Sequence, residues 1–260
     1  MTLNPALVID ARGVSRVFRA QRERRTMFRV MRDAMTGAPA LAGRYALIDI
    51  SLSAGRGDKI AVIGNNGAGK STLLRIISGL LRPSAGTVVV NGEMVLLTSL
   101  SVGMVAEVSV ADNTLMFGAL YGLDPKRVRV LLPEMLAWAG ITGYEHALLK
   151  TLSTGTKARL AFSIVRYIGA DVFLLDEALS AGDVSFRAKC RAFFDEPQND
   201  DRTFLVATHD MEFALSFCTQ AIWIDQGRCM AFGPSSDVVA RYLEAQNAEA
   251  DPPTVAPAAL

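Results

Sequence analysis

Residues 59–72 read KIAVIGNNGAGKST, an apolar strand-like run, then a glycine-rich turn, then a helix-like run. No other stretch constrains the fold as tightly. The spacing G-x-x-x-x-G-K-[ST] is met by Gly64, Gly69, Lys70 and Ser71, with the strand before and the helix after that such a turn needs. Glycines permit the tight path on which successive N–H groups point inward, and the helix N-terminus adds its dipole. The stretch is read as a phosphate cradle made of Gly64, Asn65, Asn66, Gly67, Ala68, Gly69, Lys70, Ser71 and Thr72. Lys70 supplies charge to the β- and γ-phosphates, and the Ser71 hydroxyl is a candidate ligand for Mg²⁺.

Other stretches supply matching chemistry. VFLLDE is a buried strand that leaves Asp176 and Glu177 at its C-terminal edge, where an open parallel sheet binds ligands. Asp176 is expected to hold Mg²⁺, directly or through water, and Glu177 to orient and deprotonate an attacking water. His209 closes the apolar strand TFLVATHD and can hydrogen-bond a γ-phosphate and that water together; a satisfied structural histidine is the bland alternative. His146 has no chemical neighbours in sequence and reads as a helix or loop residue. KTLSTGTKARLAF sets Ser153 and Gly155 before another helix, which is first of all a capped helix start and secondly a second anion site.

Around these stretches, strands alternate with helices, which argues for an α/β sheet fold. Strands are read at 6–18, 46–52 and 59–63, in TVVVNG, and in the hairpin AIWIDQGRCMAFG; helices are read at 71–81, 113–139 with a start at Asp124-Pro125, and from the 150s to about Gly169. The 260 residues carry 27 Lys+Arg against 26 Asp+Glu, so no global charge points to nucleic acid. Cys190, Cys218 and Cys229 lack metal-ligand spacing and read as reduced thiols of a cytosolic protein. The start has no basic n-region, and charges interrupt every long apolar run, so neither a secretory leader nor a membrane span is expected.

The pieces stand in the order Gly64–Thr72, Leu152–Thr156, Val172–Glu177, Ser180–Asp183, His209. That order resembles the ATP-binding subunit of an ABC transporter, over about residues 6–242. LSTGT is similar to the family signature Leu-Ser-Gly-Gly-Gln, with Thr154 and Thr156 departing from it. The resemblance implies a P-loop NTPase with a RecA-like α/β core, an antiparallel β subdomain and an inserted helical subdomain at about 100–168. It implies a domain over 1–245 with a basic insertion at about 20–44 and a disordered tail over 246–260. It further implies ATP and Mg²⁺ as cofactors, and a head-to-tail dimer in which Ser153, Gly155 and Asp183 face nucleotide. An integral permease partner and a place on the cytoplasmic face of the inner membrane come with it. Adenine would stack on Phe18, with Tyr45 as runner-up.

LSAGDVSFRAKC, TLSTGTKARLAFSIV and VGMVAEVSVADN are similar to exporters of capsular polysaccharide, O-antigen and teichoic acid. The cargo implied is a polysaccharide or lipid-linked glycan. A lipid, drug or nutrient cargo, or a soluble ABC ATPase without a transporter, is the alternative. Nothing of domain size follows Tyr242, so a C-terminal carbohydrate-binding domain is not expected. The glutamine that most ABC ATPases place between cradle and signature is missing, since no Gln lies between Gln21 and Gln198. A residue of 99–107, or water, would take its role. Eight arginines from Arg16 to Arg44, against Glu23 and Asp33, leave three readings of the insertion: a solvated loop, an amphipathic segment on an anionic leaflet, or a guard at the cargo entrance.

Overall fold

The computed structural model describes residues 7–18, 43–98, 103–177, 184–196, 199 and 201–250. The chain opens with β1 (Leu7–Phe18), β2 (Arg44–Gly55) and β3 (Lys59–Ile63), which runs into helix α1 (Lys70–Ile77). Strands β4 (Ala85–Val90) and β5 (Met94–Leu97) follow. Three helices come next, α2 (Val110–Leu120), α3 (Pro125–Ala139) and α4 (Thr154–Val165). The chain then alternates through β6 (Val172–Asp176), α5 (Val184–Phe194), β7 (Thr203–Ala207) and α6 (Met211–Phe217). It closes with β8 (Gln220–Asp225), β9 (Arg228–Pro234) and α7 (Ser235–Ala250).

The strands form two sheets. β2-β1-β4 is antiparallel throughout. The larger sheet has the order β5-β6-β7-β3-β8-β9, parallel from β5 to β8, with β9 returning as the second arm of a hairpin. β3, β6 and β7 are nearly continuous apolar runs because both faces of this sheet are covered. Successive side chains go to opposite sides. Ile60, Val62, Val172, Leu174 and Leu205 pack with α1 and the small sheet. Ala61, Ile63, Phe173, Leu175, Phe204 and Val206 pack with the helices on the other face. Helix α1 is thereby held between the two sheets, in contact with β6 and β7 and with β2 and β4.

The fold class read from the sequence is the one adopted: a parallel α/β core, an antiparallel sheet and a group of helices between β5 and β6. An aromatic chain ties those helices to the core. Phe162 of α4 stacks on Trp138 and meets Phe194 edge-on; Phe194 meets Phe204, which stacks on Phe173 of β6. Burial pushes the thiols of Cys190 and Cys218 up, the latter to about 12, so neither is a nucleophile at neutral pH.

Three boundaries differ from the sequence reading. The helix read over 71–81 ends at Ile77, because Gly79 turns the chain at φ 75°. The helical run read from 113 begins at Val110 after the Ser109 cap, while the second start read at Asp124-Pro125 is found there, Asp124 accepting from Lys126 N–H. The tail read as disordered from 246 is helical through Ala250. Val238, Val239 and Tyr242 are buried at one-turn spacing, and Gln246 continues the same face into hydrogen bonds.

Candidate functional site

The phosphate loop lies at the C-terminal edge of β3, between β7 and β8. Its glycines are required by geometry. Gly64 has φ 144°, and a Cβ there would stand 2.0 Å from the Ile224 carbonyl oxygen. Gly69 has φ 118°, and a Cβ there would stand 2.5 Å from the Ala46 carbonyl oxygen. Helix α1 starts at Gly69 with no side-chain cap, so its first N–H groups are left for a ligand. Thr72 continues the first turn. Ala68 is buried, its N–H donating to the Asn65 carbonyl and its own carbonyl accepting from Gly227 N–H.

The structure gathers Lys70, Ser71, Asp176, Glu177 and His209. Lys70 Nζ donates to the carbonyls of Gly64 (2.8 Å) and Asn65 (3.2 Å). Burial is the main cause that pulls the Lys70 pKa down, opposed by the charges of Glu177 and Asp176. The Ser71 hydroxyl donates to Asp176 Oδ1 at 2.8 Å, which brings two hard oxygen donors together at the strand edge. Glu177 sits just past β6 at φ 53°, a left-handed backbone that costs a non-glycine residue about 1 kcal/mol. Its N–H donates to the Ala207 carbonyl, which ties it to the end of β7.

Two groups compete for one nitrogen. His209 Nε2 lies 2.8 Å from Glu177 Oε1 and 3.2 Å from Lys70 Nζ. To serve the carboxylate, Nε2 must carry a proton; to serve the ammonium, it must offer a lone pair. In the tautomer that serves the shorter contact, to the carboxylate, Nε2 carries the proton. Lys70 is then left facing an N–H. An anionic oxygen placed between them would accept from both.

Phe18 is paired with Arg44 across β1 and β2, and Tyr45 with Val17. Arg44 reaches the phosphate loop: Nη2 lies 3.9 Å from where a Cβ on Gly67 would stand. Paired residues share a face and neighbours along a strand alternate, so Phe18 faces the loop and Tyr45 does not. Phe18 is 42% exposed, with the Arg16 guanidinium 4.8 Å from its ring centroid. Ser153 caps α4, its hydroxyl accepting from Thr156 N–H (3.2 Å) and lying 2.8 Å from Thr156 Oγ1. A Cβ on Gly155 would meet only the Ser153 hydroxyl, at 4.0 Å. His146 lies in an exposed turn. Asp183, residues 99–102 and residues 19–42 of the basic insertion lie outside the described residues.

Residues 47–180 match the family model described as ABC transporter. The chain belongs to the ABC transporter family. It is 36% identical over 198 residues to the teichoic acids export ATP-binding protein TagH of Bacillus cereus, a match that covers 76% of this chain and 36% of that protein. It is 34% identical over 206 residues to the ABC transporter protein AbcA of Aeromonas salmonicida, covering 79% of this chain and 67% of that one. The chain thus spans about a third of the length of TagH. Its fold matches the ATP-binding cassette MJ0796, solved as a post-hydrolysis dimer bound to ADP and Pi. The TM-score is 0.67 at 18% identity, over 87% of this chain and 98% of that one.

Within this ABC cassette, the structure adds three residues that the sequence did not single out. Arg44 stands beside Gly67, and Tyr242 and Gln246 of α7 reach Asn65. Arg44 comes beside Gly67 through the pairing of β1 with β2 across the insertion, which no local sequence signal gives. The α7 contacts span 177 and 181 residues of sequence and leave no local signal.

Proposed function

We propose that the chain is the ATP-hydrolysing subunit of a transporter that exports a polysaccharide or a lipid-linked glycan across the inner membrane. The observation that carries the ATPase reading is the competition of Lys70 and Glu177 for His209 Nε2 beside an uncapped helix start. An ATP γ-phosphate is an anion of the right kind to settle it. Lys70 would leave the carbonyls of Gly64 and Asn65 for phosphate oxygens, and the loop N–H groups and the α1 dipole would hold the rest. Glu177, freed from His209, would orient water and take its proton. His209 Nε2–H would donate to the γ-phosphate oxygen that gains charge.

The residues fit Mg²⁺, because Ser71 and Asp176 already converge and this ion takes one or two protein oxygens plus phosphates. When bound, it would neutralise charge that develops on the phosphates. Phe18 would stack on adenine, a reading supported by its pairing with Arg44, which lies beside Gly67. Two copies would pair head to tail, Ser153, Gly155 and Asp183 of each facing the other's nucleotide. The cargo reading rests on TagH, named for teichoic acid export. Among the described residues no helix is long and apolar enough to cross a membrane, which suits a subunit that works through a permease on the cytoplasmic face.

The test is Glu177→Gln. Expected is MgATP binding within a few-fold of the wild-type chain, turnover reduced by at least about a thousandfold, and a dimer in sedimentation with ATP. A variant that hydrolyses ATP at the normal rate removes Glu177 as the base. For the cargo, the permease that copurifies with the chain should be stimulated by its glycan and by no unrelated lipid.

A further inference from the structure

Asn65 is tied at both ends. Its carbonyl accepts from Ala68 N–H (3.1 Å) and from Lys70 Nζ (3.2 Å). Its side-chain Oδ1 accepts from Gln246 Nε2 (2.6 Å) and from the Tyr242 hydroxyl (3.1 Å). Gln246 Nε2 lies 2.8 Å from the Tyr242 oxygen. The protons balance. One Gln246 N–H serves Asn65 and the other serves the tyrosine oxygen, while the tyrosine O–H also serves Asn65. The three side chains close a ring.

The ring is anchored to the sheet. Tyr242 is 6% exposed, and its aromatic ring meets the edge of Trp223 at 5.6 Å. Trp223 lies on β8 opposite Ile63, the last residue before Gly64. Helix α7 is therefore fixed to β8, the neighbour of the strand that feeds the loop, and, one helical turn later, grips the loop's first asparagine. Asn65 itself is exposed. Without the grip its side chain would gain rotamers, and the loop peptides it carries would gain freedom that nucleotide binding must remove.

We propose that Tyr242 and Gln246 are positioning residues for nucleotide, holding the phosphate loop in its binding shape through Asn65 and making α7 a determinant of nucleotide affinity. This rests on the nucleotide-binding reading above. Both residues act on the loop through the Asn65 side chain. Their loss weakens ground state and transition state alike, which raises KM and leaves kcat.

The experiment uses the full chain and MgATP, with affinity from calorimetry and turnover from phosphate release. Gln246→Ala and Tyr242→Phe should each weaken MgATP binding about fivefold, the loss expected for one neutral hydrogen bond. KM should rise by the same factor, and kcat should stay within about twofold. Tyr242→Phe keeps the ring against Trp223, so it reports on the hydroxyl alone. In an Asn65→Ala background, Gln246→Ala should have no further effect on nucleotide binding, because its bond to the loop is gone and only its bond to Tyr242 remains. Additive losses, or a Gln246→Ala chain that binds as tightly as wild type, overturn the positioning role. Lys70→Ala separates the two levels: it should abolish binding. If wild type and Lys70→Ala both fail to bind MgATP, the functional reading itself falls, and the positioning role with it.

Discussion

The helix starts at Gly69 and Ser153 are both built from glycines and hydroxyls, and they differ in what they leave open. At α1 the cap position is Gly69, with no side-chain bond to the helix; the loop before it is exposed at Asn65, Asn66 and Gly67, while Ala68 is buried in the core between the two sheets. At α4 the cap is Ser153, whose hydroxyl already holds Thr156 N–H, and the start is exposed. The first start is unfinished without a ligand, while the second is satisfied within the chain. A self-satisfied start can still serve a visiting phosphate. With Thr156 Oγ1 as donor to Ser153, the Ser153 proton is free to be given away. Thr156 thereby has a local reason to stand where the family has glutamine. Thr154 has none in this structure.

The comparison breaks most sharply at the glycines. Gly69→Ala drives a Cβ to 2.5 Å from a backbone oxygen at a positive φ. A loss of about 3 kcal/mol in urea unfolding is expected, with no measurable MgATP binding. Gly155→Ala meets only the Ser153 hydroxyl, at an unstrained 4.0 Å, in an ordinary helical turn. It should leave stability unchanged or raise it by about 0.5–1 kcal/mol. If Gly155 faces a second copy's nucleotide, its ATPase should nonetheless fall at least tenfold. A Gly155→Ala chain that is stable and fully active would remove the head-to-tail pairing.

Ser153→Ala sharpens the same contrast at smaller scale. Loss of the cap should cost about 1 kcal/mol in the nucleotide-free chain, because the bond to Thr156 is internal. Thr156→Val keeps the N–H that Ser153 caps and should cost less than Ser153→Ala. ATPase of Ser153→Ala, followed against protein concentration, separates cap from contact. A lost cap lowers the stable fraction at every concentration, whereas a lost phosphate contact weakens the dimer and is offset as concentration rises.

The parts of this molecule that were legible in the sequence are those whose physics is local. Gly64, Gly69, Lys70 and Ser71 announce themselves because strand, turn and helix start lie within fourteen residues. Asp176 and His209 end apolar runs that only a covered parallel sheet explains. What stayed hidden depends on three-dimensional juxtaposition. The shared claim of Lys70 and Glu177 on His209 Nε2 joins three stretches of chain. The nearness of Arg44 to Gly67, and its pairing with Phe18, needed the register of β1 on β2, which is irregular between Arg16 and Val17. The reach of α7 as far as Ala250 was missed because the polar residues after Tyr242 look like a tail, and their partner Asn65 lies at the other end of the sequence.

The smallest expected effect is in the pH dependence of the unfinished start. Lys70 has its pKa lowered, first by burial, so in the folded chain its charged form is held less well than in the unfolded chain. The sign follows from proton linkage: at neutral pH the unfolded state binds the Lys70 proton more readily than the folded state does. The destabilisation is fully present below the lowered pKa. It fades as pH rises from that value to the ordinary lysine range. Lys70→Met removes the titrating group, so the stability of wild type relative to Lys70→Met should rise as pH is taken from 7 towards 10 in the nucleotide-free chain. At α4 the comparable exchange is Ser153→Ala, which removes no titrating group, and its deficit should stay flat over the same interval. A flat difference for Lys70→Met would mean that Glu177 and Asp176 already balance the cost of burying the charge, and the α1 start would then be as settled without nucleotide as the α4 start.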